Sequence, residues 1–210
     1  RYSSGGKSYP MRQHGLARHA AWEVVDVQLA KVTMEFRSTP MSRVNFPFDF
    51  VLRMVVDLGR AGYRTLAIDV TVENTGPEPM PVHFGLHPYF LVSDKDRDRI
   101  RVEVDANYAF DNNSGETGPW NRELDLTVPG VDLHLTDLQS QTVLLHLPGK
   151  TPRRIEMSDF FTTVVLWQSA MQDFLCVEPW SAPSDALNTG VCLRTIEPGD
   201  SIFGEVTISV

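Results

Sequence analysis

The stretch YRTLAIDVTVENTG, residues 63–76, alternates without interruption. Leu66, Ile68, Val70 and Val72 point one way in an extended chain, and Thr65, Asp69, Thr71 and Glu73 point the other. That period of two belongs to a strand with one buried face, and the ENTG that follows supplies turn residues to close it. The same rhythm runs outward in both directions. Phe46, Phe48, Phe50, Leu52, Met54 and Val56 share a face in NFPFDFVLRMVVDLG, as do Ile100, Val102 and Val104 in DRIRVEVDA, and Ile202, Val206, Ile208 and Val210 at the end. FFTTVVLWQ and DFLCVEPW are instead continuous apolar or β-branched runs, which suit central strands covered on both faces. Fourteen glycines and fourteen prolines punctuate these segments, and SAPSDALNTG has room for one helical turn. The expectation is an all-β chain, a large antiparallel β-sandwich, with residues 1–210 as a single domain.

Composition narrows the function. Hydrophobic residues make up 42% and charged residues 22%, and the formal net charge is -8. A protein that grips phosphate backbones needs clustered Lys and Arg, so nucleic acid is not expected as a partner. No window approaches eighteen consecutive apolar residues, so no membrane span is expected either. Two cysteines, Cys176 and Cys192, are too few for a disulfide framework or a four-thiolate zinc site, which points to a reduced, cytoplasmic compartment. The opening RYSSGGKSYP carries no initiator Met, as in a processed product or part of a longer chain.

Three segments could carry chemistry. In VHFGLHPYF, residues 82–90, His83 and His87 are four apart, but Pro81 and Pro88 disfavour the helix that would let both bind one metal. On a strand they stand about 13 Å apart at roughly 3.3 Å per residue, so no shared metal is expected; either can equally be a core histidine satisfied by its neighbours. In RQHGLARHAAWEV, residues 12–24, Gly15 permits a tight turn that presents His14, the fixed cation Arg18 and the aromatic Trp22, or leaves them at the surface. In FLCVEPWSAPSD, Glu178 ends an apolar run just before Pro179. Partial desolvation there would raise a carboxylate toward a useful general-base value, while a strand-end Glu pointing to water is the plain alternative. Trp180 offers a flat face for a sugar ring or simply fills the core. No nucleophile elbow, P-loop or dinucleotide fingerprint is present, and Cys176 reads as an inert buried thiol.

Taken in order, these segments resemble the aldose 1-epimerase family of galactose mutarotase-like proteins. HGLAR with Trp22 resembles its HG-x-AR…W element, GLHPYF its H-x-YF element, and CVEPW followed by LRTIEPGDS its C-x-EPW…L-x-PG ending. The resemblance implies a twisted β-supersandwich with a sugar bound on a concave sheet, lacking N-terminal strands that family members usually carry before HG-x-AR. It implies interconversion of the α and β anomers of an aldose, free or as a hexose 6-phosphate. Glu178 would be the base at the C1 hydroxyl, and His87 the acid at the ring oxygen, facing it across the sugar. It further implies that His14 and Arg18 bind the sugar or a phosphate, that Asp132 of PGVDLHL binds substrate, and that Trp167 and Trp180 form a floor or wall. His83 falls to a structural role. No metal and no organic cofactor is implied, and the expected partner is a small-molecule sugar, bound by a monomer or homodimer. Rival readings are a non-catalytic carbohydrate-binding domain on the same fold, and a sandwich domain of a larger glycoside-processing enzyme, which would show paired carboxylates.

Overall fold

Thr65–Asn74, the heart of the opening stretch, is a strand in the computed structural model of the protein. The structure describes residues 1–60, 62, 64–121, 124–128, 130–170 and 172–210. Among them, in chain order, are β1 (Tyr2–Ser4), β2 (Lys7–Tyr9), β3 (Glu23–Val27), β4 (Lys31–Arg37), β5 (Phe50–Asp57), β6 (Thr65–Asn74), β7 (Met80–Val82), β8 (Tyr89–Leu91), β9 (Arg101–Asp111), β10 (Glu116–Pro119), β11 (Val131–His146), β12 (Arg153–Met157), β13 (Thr163–Gln168), β14 (Phe174–Trp180), β15 (Arg194–Ile196) and β16 (Ser201–Ser209). Among the described residues helix is confined to short segments: α1 (Pro40–Arg43), α2 (Ala186–Thr189) and two 3-10 segments, Ala17–His19 and Asp94–Arg99. The turn expected within SAPSDALNTG is α2, ended by Gly190 in the left-handed region at φ 71°. Residue contacts gather the chain into two compact units, Arg1–His83 with Ser184–Glu205, and Phe84–Pro183 with Val206–Val210.

In the first unit β3, β4, β5 and β6 are neighbours in that order, all antiparallel. Met54 opposes both Met34 and Val70, and Leu52 opposes both Phe36 and Val72. The alternating sets of two separate sequence segments therefore merge into one apolar face, and a slip of one residue would turn a whole strand's set outward. Phe36, Phe50, Leu52, Val70 and Val72 are buried there. On the reverse face Glu35 opposes Arg53. Glu35 is 4% exposed, accepting from Arg53 Nε at 2.8 Å and from Arg37 Nη2 at 2.6 Å. The Arg53 hydrogen bond, with help from Arg37, outweighs the cost of burial and holds this carboxyl below the usual carboxylate range.

The second unit is ordered β16 (from Val206), β12, β11, β13, β14, β8, with β9 also on β11 and β10 on β9. At 16 residues β11 is long enough to serve two partners along one edge: Val131–Leu135 pair with β13, and Thr142–Leu145 with β12. Against β9 its register shifts between Leu138 and Val143, next to Asp137 at φ 55°, as a β-bulge requires. β13 and β14 are covered on both faces, as their unbroken apolar runs predict. Leu135, Val143, Leu145, Ile155, Leu166, Leu175 and Val177 are fully buried. Each such side chain contributes about 1.5–3 kcal/mol of burial, so this core can carry polar residues on the remaining face of β14.

Candidate active site

Glu178 and His87 meet because of strand register. β8 pairs with β14 as Leu91 to Phe174, Phe90 to Leu175 and Tyr89 to Cys176. Beyond the end of β8 an isolated bridge joins Gly85 to Trp180 in the same register, and Leu86 N donates to Pro179 O at 3.0 Å. His87, midway between, falls opposite Glu178. Its Nε2 is 3.3 Å from Glu178 Oε1.

Both side chains are held. Glu178 is 2% exposed, so the expectation of a partly desolvated strand end understated its burial, and the solvent-facing alternative is excluded. Its Oε2 accepts from Trp180 Nε1 at 3.1 Å. His87 stacks on Tyr89 with ring centroids 4.8 Å apart, and meets Trp167 edge-on at 5.8 Å. Gly85 is required here: a Cβ at this position would lie 2.6 Å from Trp180 Cδ1, so only glycine lets the indole lie over the chain. Cys176 shares the face of Glu178 two residues away, fully buried. Burial, with the Glu178 charge adding to it, pushes its thiol up to about 12, which agrees with its reading as an unreactive cysteine.

Directly opposed residues of a sheet share a face, so this face can be followed across β13, β11 and β9. Val165 opposes Glu178, Trp167 opposes Cys176 and also Asp132, and His134 opposes Val165 and Phe110. Asp132, Trp167 and Trp180 are thus on one face with Glu178, and His87 meets Glu178 and Trp167 there. His134 was not singled out from sequence. It is 4% exposed, with Nε2 3.1 Å from Asp132 Oδ1, and its ring meets Trp180 edge-on at 5.2 Å and Phe110 at 5.8 Å. Asp132 Oδ2 accepts from Asn112 Nδ2 at 2.8 Å. Burial pushes the Asp132 carboxyl upward, but the hydrogen bonds from His134 and Asn112 prevail and hold it below its ordinary value. The D-x-H spacing of Asp132 and His134 was the available signal, since it puts both side chains on one side of a strand.

His14 and Arg18 form a separate group in the first unit. His14 and Gly15 are both left-handed, at φ 63° and 68°, in a turn closed by Gly15 N donating to Arg12 O at 3.0 Å. Arg18 follows in the Ala17–His19 segment, and Trp22 Nε1 donates back to Ala17 O at 3.0 Å while packing on Phe36. Burial, then the charges of Arg18 and His19, lower the His14 pKa, so its imidazole is neutral near pH 7. His83 is half-buried just after β7 in the same unit.

An imidazole beside a buried carboxylate, with a second, hydrogen-bonded carboxylate and two indoles, thus gathers on one face of an antiparallel sheet. Residues 2–209 match the profile of the family described as Aldose 1-epimerase, and the chain belongs to that family. The solved structure of the Slr1438 protein from Synechocystis sp. PCC 6803 is 32% identical, with a TM-score of 0.93 over 99% of this chain and 72% of that one. A galactose mutarotase related enzyme from Lactobacillus acidophilus shares the fold, at TM-score 0.81 and 20% identity over 99% of this chain and 77% of its own. Among curated relatives, the uncharacterized protein YihR of Escherichia coli (strain K12) is 24% identical over 200 residues, 89% of this chain and 63% of its own length. Protein LacX, chromosomal, of Lactococcus lactis subsp. lactis is 27% identical over 207 residues, 88% of this chain and 68% of its own. The chain spans about two thirds of these curated relatives, and its fold is the large antiparallel β-sandwich of galactose mutarotase-like proteins.

Proposed function

We propose that the protein is an aldose 1-epimerase that interconverts the α and β anomers of a free or phosphorylated aldohexose, with His87 and Glu178 as its acid and base. The observation that carries the reading is the 3.3 Å contact between His87 Nε2 and Glu178 Oε1, with Trp180 holding the second carboxylate oxygen. The contact leaves no room for a sugar ring between the two groups. The sugar therefore approaches over the pair, and this suits the chemistry, because the C1 hydroxyl and the ring oxygen are bonded to the same carbon.

In the active state Glu178 is ionised and His87 protonated. Glu178 takes the proton of the C1 hydroxyl while His87 gives its proton to the ring oxygen. The C1–O5 bond then breaks to leave an open-chain aldehyde. Rotation about C1–C2 presents the other face of the aldehyde. The C5 hydroxyl adds to C1 and returns its proton to His87, while the carbonyl oxygen takes the proton held by Glu178. Concerted acid and base are needed because neither the free alkoxide nor the oxonium forms readily at neutral pH. Asp132, kept ionised, accepts hydrogen bonds from sugar hydroxyls, and Trp167 and Trp180 offer apolar faces to the ring. His14 and Arg18 serve as further sugar ligands in this reading, which takes residues 1–210 as one mutarotase-like domain. The same reading places the protein in the reduced cytoplasm, since its two cysteines are too few for a disulfide framework.

Polarimetry of freshly dissolved α-glucose, α-galactose and glucose 6-phosphate tests the proposal. Accelerated mutarotation with at least one sugar is expected, and Glu178→Gln should abolish it. An unaccelerated approach to equilibrium for every sugar, with sugar binding intact, would instead favour a carbohydrate-binding protein.

A further inference from the structure

His87, Glu178 and Cys176 do more than line the sugar face. One atom from each, an imidazole nitrogen, a carboxylate oxygen and a thiol sulfur, lies within 4.8 Å of the others. We propose that these three side chains form a binding site for a single divalent ion of the zinc class, and that occupying it switches the sugar site off.

The placement follows from the strands. Cys176 and Glu178 are two residues apart on β14 and so share a face, and the register that seats Tyr89 opposite Cys176 puts His87 opposite Glu178. The donor set is mixed N, S and O, which favours zinc or cobalt over magnesium or calcium, whose sites are built from oxygen. Bonds of roughly 2.0–2.3 Å in a tetrahedron put donor atoms about 3.5 Å apart. The His87 to Glu178 distance of 3.3 Å already meets that, and the thiol needs a shift on the order of 1 Å to join them. Surrounding groups hold the ligands as metal sites require. Trp180 N–H fixes the second carboxylate oxygen, and Tyr89 and Trp167 fix the imidazole plane. Three protein ligands leave a fourth position for water or a sugar hydroxyl, entered from the His87 side, where the side chain is 25% exposed.

On binding, the metal–sulfur bond replaces the S–H bond and the proton leaves to solvent. The imidazole lone pair and the carboxylate are both engaged by the ion, so neither can move a proton to or from a sugar. Inhibition therefore rests on the mutarotase reading, whereas binding itself does not.

Zinc chloride titrated calorimetrically into chelator-treated protein tests the site, together with the absorption spectrum after addition of cobalt(II) alone. One equivalent of zinc is expected to bind, with a thiolate-to-cobalt charge-transfer band. Cys176→Ser should lose the band and weaken zinc at least tenfold, while Cys192→Ser, which removes the exposed thiol, should change neither. Should Cys176→Ser fail to fold, His87→Gln is expected to weaken zinc likewise. Lack of saturable binding, a band that survives Cys176→Ser, or one that vanishes with Cys192→Ser overturns the proposal. In the activity arm, zinc should slow mutarotation of the wild type but not of Cys176→Ser. Full activity at saturating zinc refutes the switch. Cys176-dependent binding in a protein without mutarotase activity refutes the function and leaves the site standing.

Discussion

Replacing Gly85 with alanine tests whether Glu178, the proposed base, is held through Trp180. The new Cβ would lie 2.6 Å from Trp180 Cδ1 and 3.1 Å from both Cγ and Nε1, so the indole must move by about 1 Å to reach ordinary contact. It cannot do so freely, because His134 meets it edge-on at 5.2 Å and its N–H is committed to Glu178 Oε2 at 3.1 Å. Overpacking of this kind costs about 1–3 kcal/mol of stability. Losing a hydrogen bond to a charged, buried carboxylate costs about 1.5–3 kcal/mol, which at 1.4 kcal/mol per decade is a loss of roughly 10- to 150-fold in kcat/KM. Chemical denaturation reads the first quantity and polarimetry the second. Trp180→Phe separates them, since it removes the N–H without adding a clash, and it should reproduce the loss of activity with a smaller loss of stability. A Gly85→Ala protein with unchanged stability and rate would refute the reasoning, because the indole would then have moved at no cost to either.

Three other outcomes are expected. Glu35 has a depressed pKa in the folded protein, so its contribution is present above the ordinary carboxylate pKa and is lost as pH falls through the lower folded value. Thermal unfolding of Glu35→Gln should show a deficit of about 1–2 kcal/mol near pH 7, discounted because both arginines are more than half exposed; a deficit that fails to shrink below about pH 4 would contradict this. His134→Phe keeps the edge contact with Trp180 but removes a donor from Asp132, so KM should rise several-fold with kcat changed less, and an effect confined to kcat would argue against a substrate-binding role for Asp132. At pH 8, alkylation followed by intact mass should label Cys192 rapidly and Cys176 only after unfolding, since Cys176 is fully buried with its thiol pushed up to about 12; equal rates would contradict that environment.

Much of the fold is readable from local pattern. The alternation in residues 63–76 and the unbroken runs around Val165 and Val177 report which residues are extended and which strands are covered on both sides, because side-chain period is a property of the backbone itself. The turn at α2 follows from its flanking glycine. Glu178 and His87 could each be picked out by motif, yet their surroundings could not. From sequence, the carboxylate at the end of an apolar run could face water as well as protein, and the two groups were expected on opposite sides of a sugar rather than 3.3 Å apart.

His134 shows where the limit lies. Its spacing from Asp132 puts both on one side of β11, and that is local information. Its contact with Trp180 depends on β13 lying between β11 and β14, and no residue near position 134 specifies that order. The same holds for the thiol of Cys176, an inert core residue in its own segment and a neighbour of His87 only once β8 pairs with β14. The sequence by itself determined the strands, their buried faces and the residue types able to carry acid–base chemistry. Only the tertiary structure decided which faces meet, because register and strand order join segments some ninety residues apart, through packing that no local pattern encodes.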